Sequence, residues 1–238
     1  MPTILQSVPP DAHAGDPRLP GTQPCGADDW LRVDDAYAAQ MAYRAQLLAE
    51  RPQAVLYEKP QTRPVASEVL SEALQVLPGL GFTVSVGTVT CPDGRAVAID
   101  HDAPLHTLGH LVQEDICVLE KQGDEHVMTC AVLCFPANWR LAEKINRPLT
   151  GIHDPVDEYD ANIARRVQRL FDGVQVGRPL WRFNKLRYAD ADLHQPYKRL
   201  EAAEMPYTRS ERQCILRMPQ SGAVVFTIHS YVVQATPA

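Results

Sequence analysis

Residues 115–135, DICVLEKQGDEHVMTCAVLCF, decide the fold class. Two apolar runs of strand length flank Gln122-Gly123-Asp124, and that connection is far shorter than the dozen or more residues a parallel crossover needs. The segment reads as an antiparallel hairpin. The same signature stands on either side of it. FTVSVGTVTCPDGRAVAI, residues 82–99, gives two runs around Pro92-Asp93-Gly94. ERQCILRM, 211–218, and AVVFTIHSYVV, 223–233, flank Pro219-Gln220-Ser221-Gly222. Six strands arranged as three hairpins are expected.

Helices are expected before and within this sheet. From Asp34 the spacing Tyr37, Met41, Ala45, Leu48 makes one apolar stripe, with Asp34 and Asp35 placed for its amino-terminal end. A second helix is expected over about Val65–Leu77, closed by Pro78-Gly79. Between the second and third hairpins lies a helical insertion, about 136–174. Its clearest part is DEYDANIARRVQRLFDGV, with Tyr159, Ile163, Val167, Leu170, Phe171 and Val174 inward and Arg165, Arg166 and Arg169 outward. The class is α+β, an antiparallel sheet of five to six strands with flanking helices. Residues 1–27 are proline-rich and read as an arm without a fold of its own, and 28–238 as a single domain.

Composition narrows the function. The 238 residues carry a formal charge of −6, with no clustered Lys and Arg of the kind that binds nucleic acid or an anionic membrane. The start lacks a basic n-region and long apolar h-region, and no stretch approaches the roughly 18 apolar residues of a membrane span, so a cytoplasmic location is expected. The six cysteines show no C-x-x-C spacing and read as buried reduced thiols. There is no Gly-rich phosphate loop and no G-x-S-x-G. His101, His106 and His110 stand five and four apart, and the latter two can share a helical face, but no carboxylate triad or H-E-x-x-H accompanies them.

WRLAEKINRPLTGIHDPV, residues 139–156, gathers cations beside a lone histidine. Asn138 is placed to cap a short helix from Trp139, and Asn146, before Arg147-Pro148, to end it about two turns later. Arg140, Lys144 and Arg147 fall on that element and its exit, and one cation is free to pair with Glu143 at helical spacing. Pro148 and Pro155 stiffen the backbone that carries His153. In the last hairpin, alternation places Glu211, Gln213, Ile215 and Arg217 on one face and Arg212, Cys214, Leu216 and Met218 on the other. Glu211 with Arg212 or Arg217 makes either an ion pair or the lining of a polar cavity.

Five ordered stretches carry a resemblance: DDWLRVDDAYAAQMAYRAQLL (28–48), LVQEDICVLEK (111–121), CFPANWRLAEKINRPLTGIHDPV (134–156), RPLWRFN (178–184) and RSERQCILRMPQSGAVVFTIHSYV (209–232). Together they resemble the haem-dependent oxidative N-demethylase family, in its haem-binding alpha subunit, whose founding activity is oxidation of dimethylamine. The resemblance implies a PAS-like haem-binding fold, haem b, O2 as oxidant, a small secondary amine as substrate and formaldehyde as product. It implies NAD(P)H-derived electrons from a separate flavin/iron–sulfur subunit, in keeping with a chain that has neither G-x-G-x-x-G nor a ferredoxin-type cysteine run. His153, in the I-H-x-P-V segment, is the implied iron ligand. Arg140, Lys144, Arg147, Arg182 and Asn184 are the implied cofactor-binding residues, and Glu211, Arg212 and Tyr231 the implied catalytic group, with Arg212 fixing the Glu211 carboxylate. Two positions depart from the family pattern: Lys185 replaces the aromatic of R-x-N-W, and His229 stands where an arginine is usual. A non-catalytic haem-binding sensor or carrier on the same fold is the alternative reading.

Overall fold

The computed structural model describes residues 3–7, 21–153, 161–197 and 204–234, the side chains of 153 and 161–164 excepted. In chain order the elements are β1 (Gln23–Pro24), α1 (Tyr37–Glu50), α2 (Pro52–Val55), β2 (Leu56–Tyr57), α3 (Arg63–Val76), β3 (Thr83–Ser85), β4 (Thr88–Thr90), β5 (Ala96–Ala98), α4 (Pro104–Leu111), β6 (Asp115–Gln122), β7 (Glu125–Val132), α5 (Leu141–Lys144), α6 (Leu149–His153), α7 (Ala161–Gly173), β8 (Leu180–Tyr188), β9 (Tyr207–Arg217) and β10 (Val224–Gln234). Seven strands form one antiparallel sheet in the order β1-β8-β9-β10-β6-β7-β2, and β3-β4-β5 form a separate three-stranded sheet. The chain is α+β, with a wider main sheet than the five to six strands expected.

The β6–β7 and β9–β10 hairpins form as the alternation predicts, the second pairing Val224 with Arg217 through Gln234 with Tyr207. The third expected hairpin, around Pro92-Asp93-Gly94, does not join them. It splits at Gly87, whose φ is +75°, into three strands of three residues each, too short to extend the main ladder. Its place beside β9 is taken by β8, whose nine residues pair from Leu180–Ile215 to Tyr188–Tyr207.

Each face of the main sheet has its own core. One face packs against α1, α3, α4 and the amino-terminal segment through Met41, Leu48, Val69, Leu108, Val118, Val132, Cys214 and Val225, with Ile4 buried in the same cluster. The other is roofed by α5, α6 and α7 through Leu141, Leu149, Ile152, Phe171 and Val174, which meet Cys117, Leu119, Met128, Ile215 and Val224. Two buried apolar clusters on opposite faces make a three-layer stack, the arrangement that hides both sides of a sheet.

The helices follow their sequence signals. Tyr37, Met41, Leu47 and Leu48 of α1 are buried, and Ala36 N–H donates to Asp34 Oδ1 at 2.9 Å just before the helix. In α3 the inward stripe is Val65, Ala66, Val69, Leu70 and Ala73, and the chain leaves through Gly81 at φ +88°. The insertion departs from expectation at its start. Asn138 does not cap a helix; it takes a left-handed conformation, φ 64°, and the helix waits until Leu141. Asn146, φ 59°, ends that single turn, its amide donating to Met128 O at 2.8 Å and its side chain to Tyr57 Oη at 2.9 Å. In α7, Arg165, Arg166 and Arg169 are exposed and Phe171 is buried. Tyr159 and the Ile163 side chain lie outside the described residues. All six cysteines are unbridged, five of them buried.

Candidate functional site

Strand alternation sorts the ionisable residues of β8, β9 and β10 into two compartments. Ile215, Leu180 and Val224 face the insertion, so Arg209, Glu211 and Gln213 of β9, Arg182 and Asn184 of β8, and Ser230 of β10 share that face by the period of two. Trp181, Phe183, Cys214 and Tyr231 face the helices on the other side, and Arg212 and His229 go with them. The pairing sets Arg182 beside Gln213 and Asn184 beside Glu211.

On the insertion side, Glu211 is buried and held from three directions. Arg209 Nη2 lies 3.2 Å from its Oε1, Gln213 Nε2 donates to Oε2 at 3.1 Å, and Asn184 Nδ2 reaches the same oxygen at 3.5 Å. Arg209 is itself buried, donating to Leu193 O at 2.9 Å and Ser230 Oγ at 3.1 Å as well as to Phe135 O. Two further cations approach. Burial lowers the pKa of Arg182, against an opposing pull from Glu211, and its Nε is buried with no hydrogen-bond partner among the described residues. Burial also lowers the pKa of Lys144, against Cys117, Glu143 and Glu211, and its ammonium sits 4.5 Å from the Trp139 ring centre. Three cations thus share one buried carboxylate here. Trp139, Ile145, Leu180 and Phe226 pack at the edge of the adjoining apolar cluster, so the compartment combines an apolar wall with surplus positive charge.

Two of the remaining cofactor candidates, Arg140 and Arg147, are exposed. Arg140 is exposed, paired with Glu143 at 2.8 Å and stacked 5.4 Å over Tyr197; its charge goes to the neighbour that helical spacing offered. Arg147 is exposed, with its backbone tied to Lys144 and Met128. His153 closes α6, while its side chain, with Asp154 and Pro155, lies outside the described residues.

The expected catalytic trio is divided by the sheet. Arg212 does not fix Glu211: adjacent residues of a strand point to opposite faces. Its guanidinium meets Asp29 instead, at 2.9 Å to Oδ2 and 2.7 Å to the backbone oxygen, and stacks 5.4 Å over Trp181. Nor does Arg217 reach Glu211. It donates to Val174 O and Phe171 O, both at 2.7 Å, and so pins the carboxyl end of α7 to β9. Tyr231 lies on the Arg212 side, its ring 4.6 Å from that of His229.

His229 is the centre of that second compartment. It is buried between Glu114, 2.8 Å from Nδ1, and Asp34, 3.0 Å from Nε2. Burial alone would push its pKa down, but the two carboxylates outweigh burial and hold it at about 9. At neutral pH it is an imidazolium. Gln113 Nε2 and the Ala36 amide also donate to Asp34. Nearby, Arg44 and Asp115, both fully buried, pair at 2.7 Å, and Asp115 accepts from the Cys134 and Phe135 amides. A cleft of about 670 Å³ lined by Leu31, Arg32, Asp34, Asp35 and Tyr231 opens on this side. Of its four lining aspartates, Asp29 and Asp34 are paired with Arg212 and His229, so it carries no surplus of positive charge like that across the sheet.

The fold and site define an α+β protein with a cation-rich, apolar-walled compartment between its sheet and a helical insertion. Residues 21–237 match the family model described as haem-dependent oxidative N-demethylase, alpha subunit-like, and the chain belongs to that family. No helix among the described residues is long and apolar enough to cross a membrane.

Proposed function

We propose that this chain is the haem-binding subunit of an oxidative N-demethylase, and that haem b occupies the compartment between β8–β9 and the insertion. The observation that carries the reading is the charge surplus there. Lys144 and Arg182 are drawn out of water with one buried carboxylate, Glu211, already engaged by Arg209, while Glu143, which also pulls on Lys144, is exposed and paired with Arg140, and Arg182 Nε has no partner among the described residues. Buried cations left short of counter-charge are costly, and an anionic ligand removes that cost. Haem propionates fit both the charge and the adjoining apolar surface. In this reading Lys144, Arg182 and Asn184 hold the cofactor, His153 supplies the imidazole on iron, and the antiparallel sheet with its crossing helices serves as a PAS-like haem fold.

Haem would supply oxygen activation when bound and reduced by a separate flavin/iron–sulfur partner drawing on NAD(P)H. The chain's own part is positioning. Glu211 is the carboxylate suited to orient a secondary ammonium group or accept its proton, and Arg209, Gln213 and Asn184 fix where its oxygens lie. Loss of an oxidised N-methyl group leaves a shorter amine and formaldehyde. Arg212 and Tyr231, across the sheet, belong in this reading to the frame.

The test is an absorption spectrum of the full chain titrated with haem, beside His153→Ala and the Lys144→Ala, Arg182→Ala double variant. Formaldehyde release from dimethylamine with a supplied electron donor follows. A stoichiometric Soret band, altered in the first variant and weakened in the second, is expected. A wild-type chain without a Soret band overturns the proposal. Haem binding with no formaldehyde from any secondary amine leaves the sensor or carrier.

A further inference from the structure

The His106 and His110 pair is untouched by the chemistry above. On α4, Pro104, Leu105, Thr107, Leu108, Gly109 and Leu111 are buried against α1, α3 and β7, which leaves these two imidazoles, one turn apart, on the outward face. Residues four apart stack along a helix with Cβ atoms about 5–6 Å from each other. Here the ring centres are 4.7 Å apart at 65°. Three buried histidines each have at least one ring nitrogen engaged: His126 with Gln168, His194 with Cys134 O, His229 with two carboxylates. Among the described residues no hydrogen bond reaches the ring nitrogens of His106 or His110.

We propose that His106 and His110 form a two-imidazole binding site for a divalent transition-metal cation, with water completing the coordination. Two rings at this separation bring one nitrogen each to about 2.0–2.1 Å from a common ion by side-chain rotation alone. Imidazole suits zinc, copper and nickel, whereas calcium and magnesium prefer oxygen. Both the proton and the ion compete for the same lone pairs. Arg95 and Arg44 stand near His110. The same cations weigh against a dication, but Arg95 is neutralised by Asp93 at 2.6 Å, and at the other end of the helix the Glu58 carboxylate accepts from the Leu105 amide at 3.0 Å. No cluster of three His, Cys, Asp or Glu side chains is present among the described residues, so water would fill the remaining coordination positions.

Isothermal titration of the full chain with CuCl2, NiCl2 and ZnCl2, in a buffer that does not chelate, tests this independently of haem. One equivalent is expected to bind, tightest for copper. His106→Ala and His110→Ala each weaken binding on the order of 10²-fold, the loss expected when one of two tethered donors is removed, while His101→Ala leaves it unchanged. Both histidines are half-buried, so circular dichroism checks that the variants fold; His106→Asn and His110→Asn repeat the test with a polar replacement. Broadening of the His106 and His110 ring resonances by Cu2+ is the expected spectroscopic signature. Absence of saturable binding, or binding that survives both substitutions, overturns the proposal.

Discussion

The buried imidazolium of His229 makes the stability of this chain depend on pH. Its pKa rises from an ordinary 6.5 to about 9 because Glu114 and Asp34 flank it. A group whose folded pKa is raised contributes fully below its unfolded pKa, and the contribution is lost as pH climbs through the folded value. The shift corresponds to about 3 kcal/mol, lost between pH 6.5 and about 9 at up to about 1.4 kcal/mol per pH unit. Urea unfolding of the wild-type chain at a series of pH values from 6 to 9.5 is expected to show that decline. His229→Gln, which leaves two carboxylates facing each other without a cation, is expected to be less stable at pH 6 and to lack the decline. His229→Arg restores a permanent cation and is expected to recover stability with a flat profile. The difference between wild type and His229→Gln isolates this residue from the other titrating groups. If the two profiles run parallel across the window, the imidazolium reasoning is refuted.

Other outcomes follow from the same geometry. Asp115→Asn strands Arg44 in the core and weakens its hold on the Cys134 and Phe135 amides; a loss of about 3–5 kcal/mol is expected from chemical denaturation. A Cβ on Gly109 would meet Leu48 Cδ1 at 2.9 Å and Val132 Cγ2 at 3.0 Å, so Gly109→Ala is expected to cost about 1–3 kcal/mol by overpacking, read as a lower melting temperature. Glu211→Gln is expected to lower amine turnover by a factor on the order of 10² or more while leaving the Soret band in place, because it removes the charge and keeps the shape; unchanged turnover would remove Glu211 from the chemistry. Arg209→Lys, which loses the fork that grips Glu211, Phe135 and Leu193 at once, is expected to lower turnover by a smaller factor together with a fall in stability.

The parts of the fold that show in the sequence are those where side-chain period and burial agree. The β6–β7 and β9–β10 hairpins alternate β-branched and aromatic residues around turn residues, and α1, α3 and α7 repeat at 3.6. β8 does not announce itself, because LWRFNKLRY places Arg182, Asn184, Lys185 and Arg187 in nine residues and reads as a polar loop. It becomes a strand because β9 supplies its hydrogen bonds, and two of its polar positions, Arg182 and Asn184, line the candidate site. The Arg44–Asp115 pair is invisible locally, since the arginine sits in the apolar stripe of α1 and its partner is 71 positions away. The division of Glu211 from Arg212 was legible, since alternation alone places adjacent strand residues on opposite faces. Arg209 is the missed partner, and the signal for it is its spacing of two from Glu211. The role of His229 was not legible locally: only the two carboxylates that flank it, Glu114 and Asp34, show that it carries charge.

Because β9 threads one compartment with its odd-numbered residues and the other with its even-numbered ones, the two are written into a single stretch of gene like interleaved texts. A point substitution edits one text and leaves the other intact, so the insertion side can change while the ion pairs that brace the frame stay fixed. A single-residue insertion or deletion in β9 instead exchanges the two, sending Arg212 toward the insertion and Glu211 toward Asp29. Diversification of this strand is therefore expected to proceed by replacement at constant length, with changes of length confined to its ends.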